Sequence, residues 1–94
     1  MTGRRVARIR ERLEAALAPE RLEIEDESHK HVGHAGASDG RGHFACIIVS
    51  TAFEGTSPLQ RHRMVYDALG DLMLSDIHAL SIRAYTPGQM EGNS

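Results

Sequence analysis

Ninety-four residues, 26% charged, 40% hydrophobic and only 4% aromatic, make one domain and exclude architectures that need a large barrel or a doubly wound sheet. Eleven Lys and Arg against 13 Asp and Glu give a net charge of −2, which argues against non-specific affinity for nucleic acid. One Cys makes no intrachain disulfide, no apolar run approaches the ~20 residues of a membrane span, and no apolar signal core follows the Arg-rich start, so the expected compartment is the cytoplasm, with no membrane partner.

The first segment, from about Arg4 to Leu17, reads as an amphipathic helix. Val6, Ile9, Leu13 and Leu17 recur at intervals of three and four, with most of the Arg residues between them. Thr2 is placed to cap its start and Pro19 to end it. Residues 1–21 hold six Arg against three Glu, whereas Glu23, Glu25, Asp26 and Glu27 follow with only Lys30 to offset them. That asymmetry fits a solvated basic helix face beside an acidic strand, with a weak phosphate contact as the sharper reading.

Leu22-Glu23-Ile24-Glu25 alternates as a half-buried strand does, with Leu22 and Ile24 under the helix. From Glu27 to Gly42 the chain becomes a long Gly- and His-containing loop, in the size range where loops are usually functional or disordered. Phe44 to Ser50 is the most apolar run and is expected to be the central strand, with both faces at least partly covered. Ser57 is an N-cap and Pro58 the first position of a helix running to about Leu69. His62, Val65, Leu69 and Leu72 form its buried stripe. A short turn over Asp71 to Ser75 leads to a last strand, Ile77 to Tyr85, on which His78, Leu80, Ile82 and Ala84 share one parity. Thr86-Pro87 opens one more helical turn, and a flexible tail begins near Met90, so the single domain has an ordered core of about residues 4–88.

The order helix, strand, strand, helix, short helix, strand predicts a two-layer α+β domain: an antiparallel hairpin, then a third strand parallel to the second after a helical crossover, with helices on one face of a three-stranded mixed sheet.

Six His against a single Lys is the oddest feature of the composition. His62 reads as packing and His43 as a strand-edge residue. His29, His31 and His34 form H-x-H-x-x-H in the loop, and His78 stands at the entry of the last strand. The hairpin loop and that entry belong at one end of the sheet, so a loop His and His78 can present two imidazoles to one metal; imidazole suits iron, zinc and copper. Two ligands do not close a structural site, so the remainder would come from a partner or a small molecule. Cys46, mid-strand, reads as core. No nucleophile elbow, Walker loop or dinucleotide fingerprint is present, and no enzymatic activity is expected. Gly33-His34-Ala35-Gly36 fits the G-x-x-G of KH domains but joins two strands, where a KH domain places it between helices.

The block Phe53-Glu54-Gly55-Thr56-Ser57-Pro58-Leu59-Gln60-Arg61-His62-Arg63-Met64-Val65-Tyr66, followed by Ile77-His78-Ala79-Leu80, resembles the BolA family across nearly the whole chain. Glu27-Ser28-His29-Lys30-His31 with Gly42-His43-Phe44 is similar to the E-S-x-x-H…H-F pattern of its His-type branch. The resemblance implies an αββααβ fold like the class II KH domain and heterodimeric partnership with a monothiol (CGFS) glutaredoxin. It also implies a 2Fe-2S cluster bridged between the two proteins. The glutaredoxin Cys and glutathione hold one side; His78 and a loop His, either His31 or His34, hold the other. The protein alone is then a monomer without a cluster, serving iron–sulfur trafficking or iron homeostasis. The alternative is a KH-like DNA-binding transcriptional regulator, for which Arg61 and Arg63 are candidate contacts, to a partner or to nucleic acid, with a fold-supporting role competing. The connection Gly70-Asp71-Leu72-Met73 lacks G-x-x-G and carries an anion, which weakens that alternative.

Overall fold

The computed structural model describes residues 2–28 and 42–92. Helix α1 (Thr2–Leu17) precedes strands β1 (Arg21–Asp26) and β2 (Gly42–Val49). A 3-10 turn over Thr51–Phe53 leads to α2 (Pro58–Leu69), α3 (Leu72–Ser75), β3 (Ile77–Tyr85) and α4 (Pro87–Gly92). Thr2 lies inside α1 instead of capping it, and α4 carries regular backbone past Met90 to Gly92.

The sheet order is β1-β2-β3. β1 and β2 are antiparallel, with Leu22 opposite Ile48 and Ile24 opposite Cys46. β2 and β3 are parallel, with Phe44 opposite Leu80, Cys46 opposite Ile82 and Ile48 opposite Ala84. These cross-strand rows share one face, and that face meets the helices. Ile9, Leu13 and Leu17 of α1 close over Phe44, Cys46 and Ile48, joined by Phe53, Val65, Leu69, Leu72 and Ile77, while Leu22, Ile24, Leu80, Ile82 and Ala84 pack at the margin. The result is the expected two-layer α+β architecture, with a three-stranded mixed sheet and helices on one side.

One expectation about α2 fails here. The predicted stripe of α2 included His62, but His62 is exposed and Arg61 takes the buried position with Val65 and Leu69. One residue on a helix is a rotation of about 100°, and three internal partners of the Arg61 guanidinium decide which side faces in. The expectation that both faces of β2 are at least partly covered meets an uneven outcome: the helices bury one, and Ala45 and Ile47 on the other are half-buried.

Between α1 and β1, Ala18 has φ +42°, a left-handed conformation that costs an L-residue about 1 kcal/mol or more. Its N–H bonds the Glu14 carbonyl at 3.1 Å and its side chain is exposed. Ala18→Gly is therefore expected to raise stability by about 0.5–1 kcal/mol, read from urea unfolding midpoints.

Candidate functional site

β2 and β3 run parallel, so their first residues lie together, at the end of the sheet where β1 stops and the hairpin loop begins. Backbone and side-chain hydrogen bonds fasten that end. The Gly42 N–H donates to the Asp76 carbonyl at 2.9 Å, and the Glu27 N–H donates to the His43 carbonyl at 2.7 Å. The His43 N–H donates to Ser28 Oγ at 3.0 Å, and the Ser28 N–H donates to Asp26 Oδ1 at 2.8 Å. The two stems of the loop are thus tied to each other and to the turn before β3. His29, His31 and His34 lie outside the described residues.

The parallel register breaks at this end. Gly42 pairs with Ile77 and His43 with Ala79, so β3 carries His78 as an extra residue in a β-bulge. Ile77 is buried, both His78 and Ala79 are exposed, and alternation resumes at Leu80. His78 is accordingly displaced from the parity of Leu80, Ile82 and Ala84 on which the sequence places it. The bulge re-aims it beside His43: the two rings lie 5.1 Å apart, centroid to centroid, tilted by 49°. The sequence alone reads His43 as a strand-edge residue. The signal that pointed to it was its place directly before Phe44 in the H-F pattern, together with the parallel pairing of its strand to the one that begins beside His78. Among the described residues no group of three or more His, Cys, Asp or Glu is arranged to hold a metal, so the end of the sheet offers paired imidazoles and no complete donor set.

Asp76 anchors the approach to β3. Its carboxylate accepts from Ser75 Oγ at 2.5 Å and lies 3.3 Å from Arg8 Nη1 and 3.7 Å from Arg5 Nε of α1. The Ser75 hydrogen bond, then the Arg8 and Arg5 charges, hold its pKa below the usual carboxylate value against the opposing push of burial. A depressed folded pKa adds stability that is complete above the unfolded value and is lost as pH falls through the folded one. The advantage of the unmodified protein over Asp76→Asn is therefore expected at pH 7 and should shrink below about pH 4, as urea unfolding at a series of pH values would show.

Of the two arginines considered for partner or nucleic-acid contact, Arg61 is 9% exposed and committed inside the fold. Its Nε donates to Thr56 Oγ1 at 3.0 Å, and its Nη1 donates to the Ala84 carbonyl at 3.0 Å and to Gln89 Oε1 at 2.8 Å. Ala84 is six residues along β3 from His78, roughly 20 Å at about 3.3 Å per residue, so Arg61 is anchored far from the His end of the sheet. Arg63 is exposed. The basic face of α1 is largely neutralised from within: Arg5 and Arg8 on Asp76, Arg10 on Glu14, Arg12 on Asp71. Cys46 is 2% exposed, and burial pushes its thiol up to about 11, so it acts as core and not as a thiolate ligand. Among the described residues no helix is long and apolar enough to cross a membrane.

Comparison with known proteins bears on the family and the fold. The family model described as BolA-like protein matches residues 13–89. The chain is 50% identical over 93 residues to SufE-like protein 1, chloroplastic/mitochondrial, of Arabidopsis thaliana, covering 94% of this chain and 25% of that protein. It is 48% identical over 87 residues to BolA-like protein 1 of Mus musculus, covering 93% and 61%. It is 41% identical over 85 residues to the DNA-binding transcriptional regulator BolA of Escherichia coli (strain K12), covering 90% and 78%. The solved BolA domain of SufE1 from Arabidopsis thaliana superposes with a TM-score of 0.78 at 49% identity, over 88% of this chain and 92% of that one. The chain thus spans a quarter of the plant protein and about three fifths of the mouse one. Motif block, element order and sheet topology agree with the match over residues 13–89, and the chain belongs to the BolA-like protein family.

Proposed function

We propose that this chain is a non-enzymatic adaptor that partners a monothiol (CGFS) glutaredoxin and co-ligates a bridging 2Fe-2S cluster, in iron–sulfur trafficking or iron homeostasis. The observation that carries the reading is the bulge that turns His78 out of the strand alternation and sets it beside His43 at the loop end of the sheet. An imidazole carried on a bulge between two paired strand residues, Ile77 and Ala79, is a ligand whose backbone position is set before the cluster arrives. A second His from the loop, His31 or His34, completes this side of the shared site. His31 is three residues and His34 six residues beyond Ser28 in the sequence, and Ser28 Oγ accepts from the His43 N–H. Donor chemistry fits: imidazole is an accepted ligand of 2Fe-2S iron, and two on one iron raise the reduction potential above that of all-thiolate ligation. The other iron needs ligands that this chain does not offer, Cys46 being buried in the core; the glutaredoxin Cys and glutathione supply them.

The test is a titration of the protein into holo-glutaredoxin with glutathione, followed by visible absorption and circular dichroism. The unmodified protein is expected to change both spectra and to bind no stable cluster alone. His78→Ala should abolish the change, and whichever of His31→Ala and His34→Ala also abolishes it identifies the loop ligand. Spectra with His78→Ala identical to those of the unmodified pair would overturn the assignment.

A second reading, DNA binding, is favoured by the name of the Escherichia coli relative and by the exposed Arg63. The internal ion pairs of α1 count against it, since they consume the charge a phosphate would meet. Gel shifts across a salt series decide: sequence-specific binding retained near physiological salt supports a regulator, and binding that vanishes there is a generic charge effect. The compartment is proposed as the cytoplasm, on composition. One relative is named chloroplastic/mitochondrial, and fractionation of the source cells separates these locations.

A further inference from the structure

The face of the sheet away from the helices is uncovered among the described residues. Glu23, Ile47 and Arg83 are cross-strand neighbours there, and so are Glu25, Ala45 and Ser81. Together they line a groove of about 440 Å³. Its floor is the small Ala45 beside a half-buried Ile47, and its walls are the exposed Glu23 and Glu25 of β1 and the exposed Ser81 and Arg83 of β3. Glu23 is bonded to Arg21, whereas Glu25 and Arg83 have no ion-pair partner among the described residues.

We propose that this groove docks an extended segment of a partner protein, one that carries Lys or Arg against the Glu25 wall. Three dimensions of the groove select that occupant. The outer strands lie about 10 Å apart, two spacings of about 4.8 Å, which admits a single extended chain; a helix with its side chains is about 10–12 Å across and rides on the walls. Same-face side chains of an extended chain repeat every ~6.7 Å, the spacing of Glu23 and Glu25 on their own strand. Charge sets the chemistry: with Glu27 at its end, the groove is lined by more carboxylate than guanidinium, so the segment is cationic, and Arg83 on the far wall donates to its backbone carbonyls. A second copy of this chain is a poorer occupant. A face six residues long and about 10 Å wide offers roughly 200 Å², against about 800 Å² per partner in a standard stable interface. The next row along the groove is His43 and Ala79, so a docked segment runs towards the imidazole pair. The inference rests on the groove alone and not on cluster ligation.

The probe is an acetylated, amidated heptapeptide of alternating Ala and Lys, titrated against the ¹⁵N-labelled protein, with an Ala/Glu heptapeptide as its opposite. Saturable shifts of the Ala45, Ile47 and Ser81 amides are expected with the Lys peptide and none with the Glu peptide. Glu25→Lys is expected to weaken binding about 5-fold or more, Glu25→Gln to fall between, and Glu54→Lys, exposed elsewhere, to leave it unchanged. Retained dispersion in the spectra shows that each variant folds. Lack of saturation, shifts scattered over every acidic residue, or equal affinity for Glu25→Lys would overturn the proposal. A doubled rotational correlation time of the protein alone, with shifts on this face, would overturn it in favour of a second copy.

Discussion

Arg61→Ala is expected to lower folding stability by about 3 kcal/mol. The guanidinium joins three separate pieces of chain: Thr56 before α2, the Ala84 carbonyl of β3, and Gln89 of α4. It also lies 5.8 Å from the centroid of the Phe53 ring. Hydrogen bonds to a charged group contribute about 1.5–3 kcal/mol each, and bonds made by one group are not additive, so the sum falls well short of three full contributions. Truncation also leaves the Ala84 carbonyl without its guanidinium donor. Gln89 Oε1 additionally accepts from the Thr86 N–H at 2.9 Å, so the start of α4 loosens with it. At about 4–8 °C per kcal/mol for a domain of this size, the thermal midpoint should fall by roughly 12–24 °C. Arg61→Lys keeps the charge but not the fork, and recovers little. Arg63→Ala, two residues on and exposed, should stay within about 0.5 kcal/mol. Thermal unfolding of the three variants followed by circular dichroism checks this, and an Arg61→Ala loss below about 1 kcal/mol would contradict it.

The same network explains why the family was legible in the sequence while the details of the site were not. The block from Phe53 to Arg61 that carries the resemblance is structural punctuation. Phe53 is fully buried, and Gly55 takes φ +77°, open to glycine and strained for other residues. Thr56 Oγ1 donates to the Phe53 carbonyl and receives the Arg61 Nε. Ser57 and Gln60 form a reciprocal capping box, with Pro58 opening α2. Each of these rules acts over a few residues, so a sequence displays them directly.

The exit of His78 from strand alternation is of another kind. A bulge is a mismatch between two strands, here Gly42-His43 against Ile77–Ala79, and neither strand's own pattern announces it. The inward turn of Arg61 hides for a related reason. An Arg in a helix reads as solvent-facing until its partners, far along the chain at Ala84 and Gln89, are known. The open face of β2 hides because Ala45 and Ile47 are apolar whether or not a second layer covers them.

Gly42 brings fold and site together, and Gly42→Ala is expected to damage both. A Cβ there would lie 2.7 Å from Phe44 Cε2 and 2.7 Å from Ser28 Oγ, closer than real Cβ contacts come. Phe44 is 2% exposed among the core side chains and has no room to swing, so the strain falls on Ser28. Ser28 Oγ accepts the His43 N–H, and the neighbouring Gly42 N–H is bonded to the Asp76 carbonyl, two residues before His78. Displacing Ser28 unhooks the loop stem from β2 and shifts His43 relative to His78. Overpacking of this kind costs about 1–3 kcal/mol for one added carbon, and Gly42→Val, with two more, should sit at or above the top of that range. The expected result for Gly42→Ala is a lowered urea midpoint together with moved imidazole resonances of both His43 and His78. Ser28→Ala serves as the partial counterpart, removing the acceptor without adding bulk: it should move the His43 amide and ring with a smaller loss of stability, about 1 kcal/mol. Unchanged midpoint and imidazole resonances in Gly42→Ala would show that the stem yields freely, and that the imidazole pair does not depend on how the loop is fastened to the sheet.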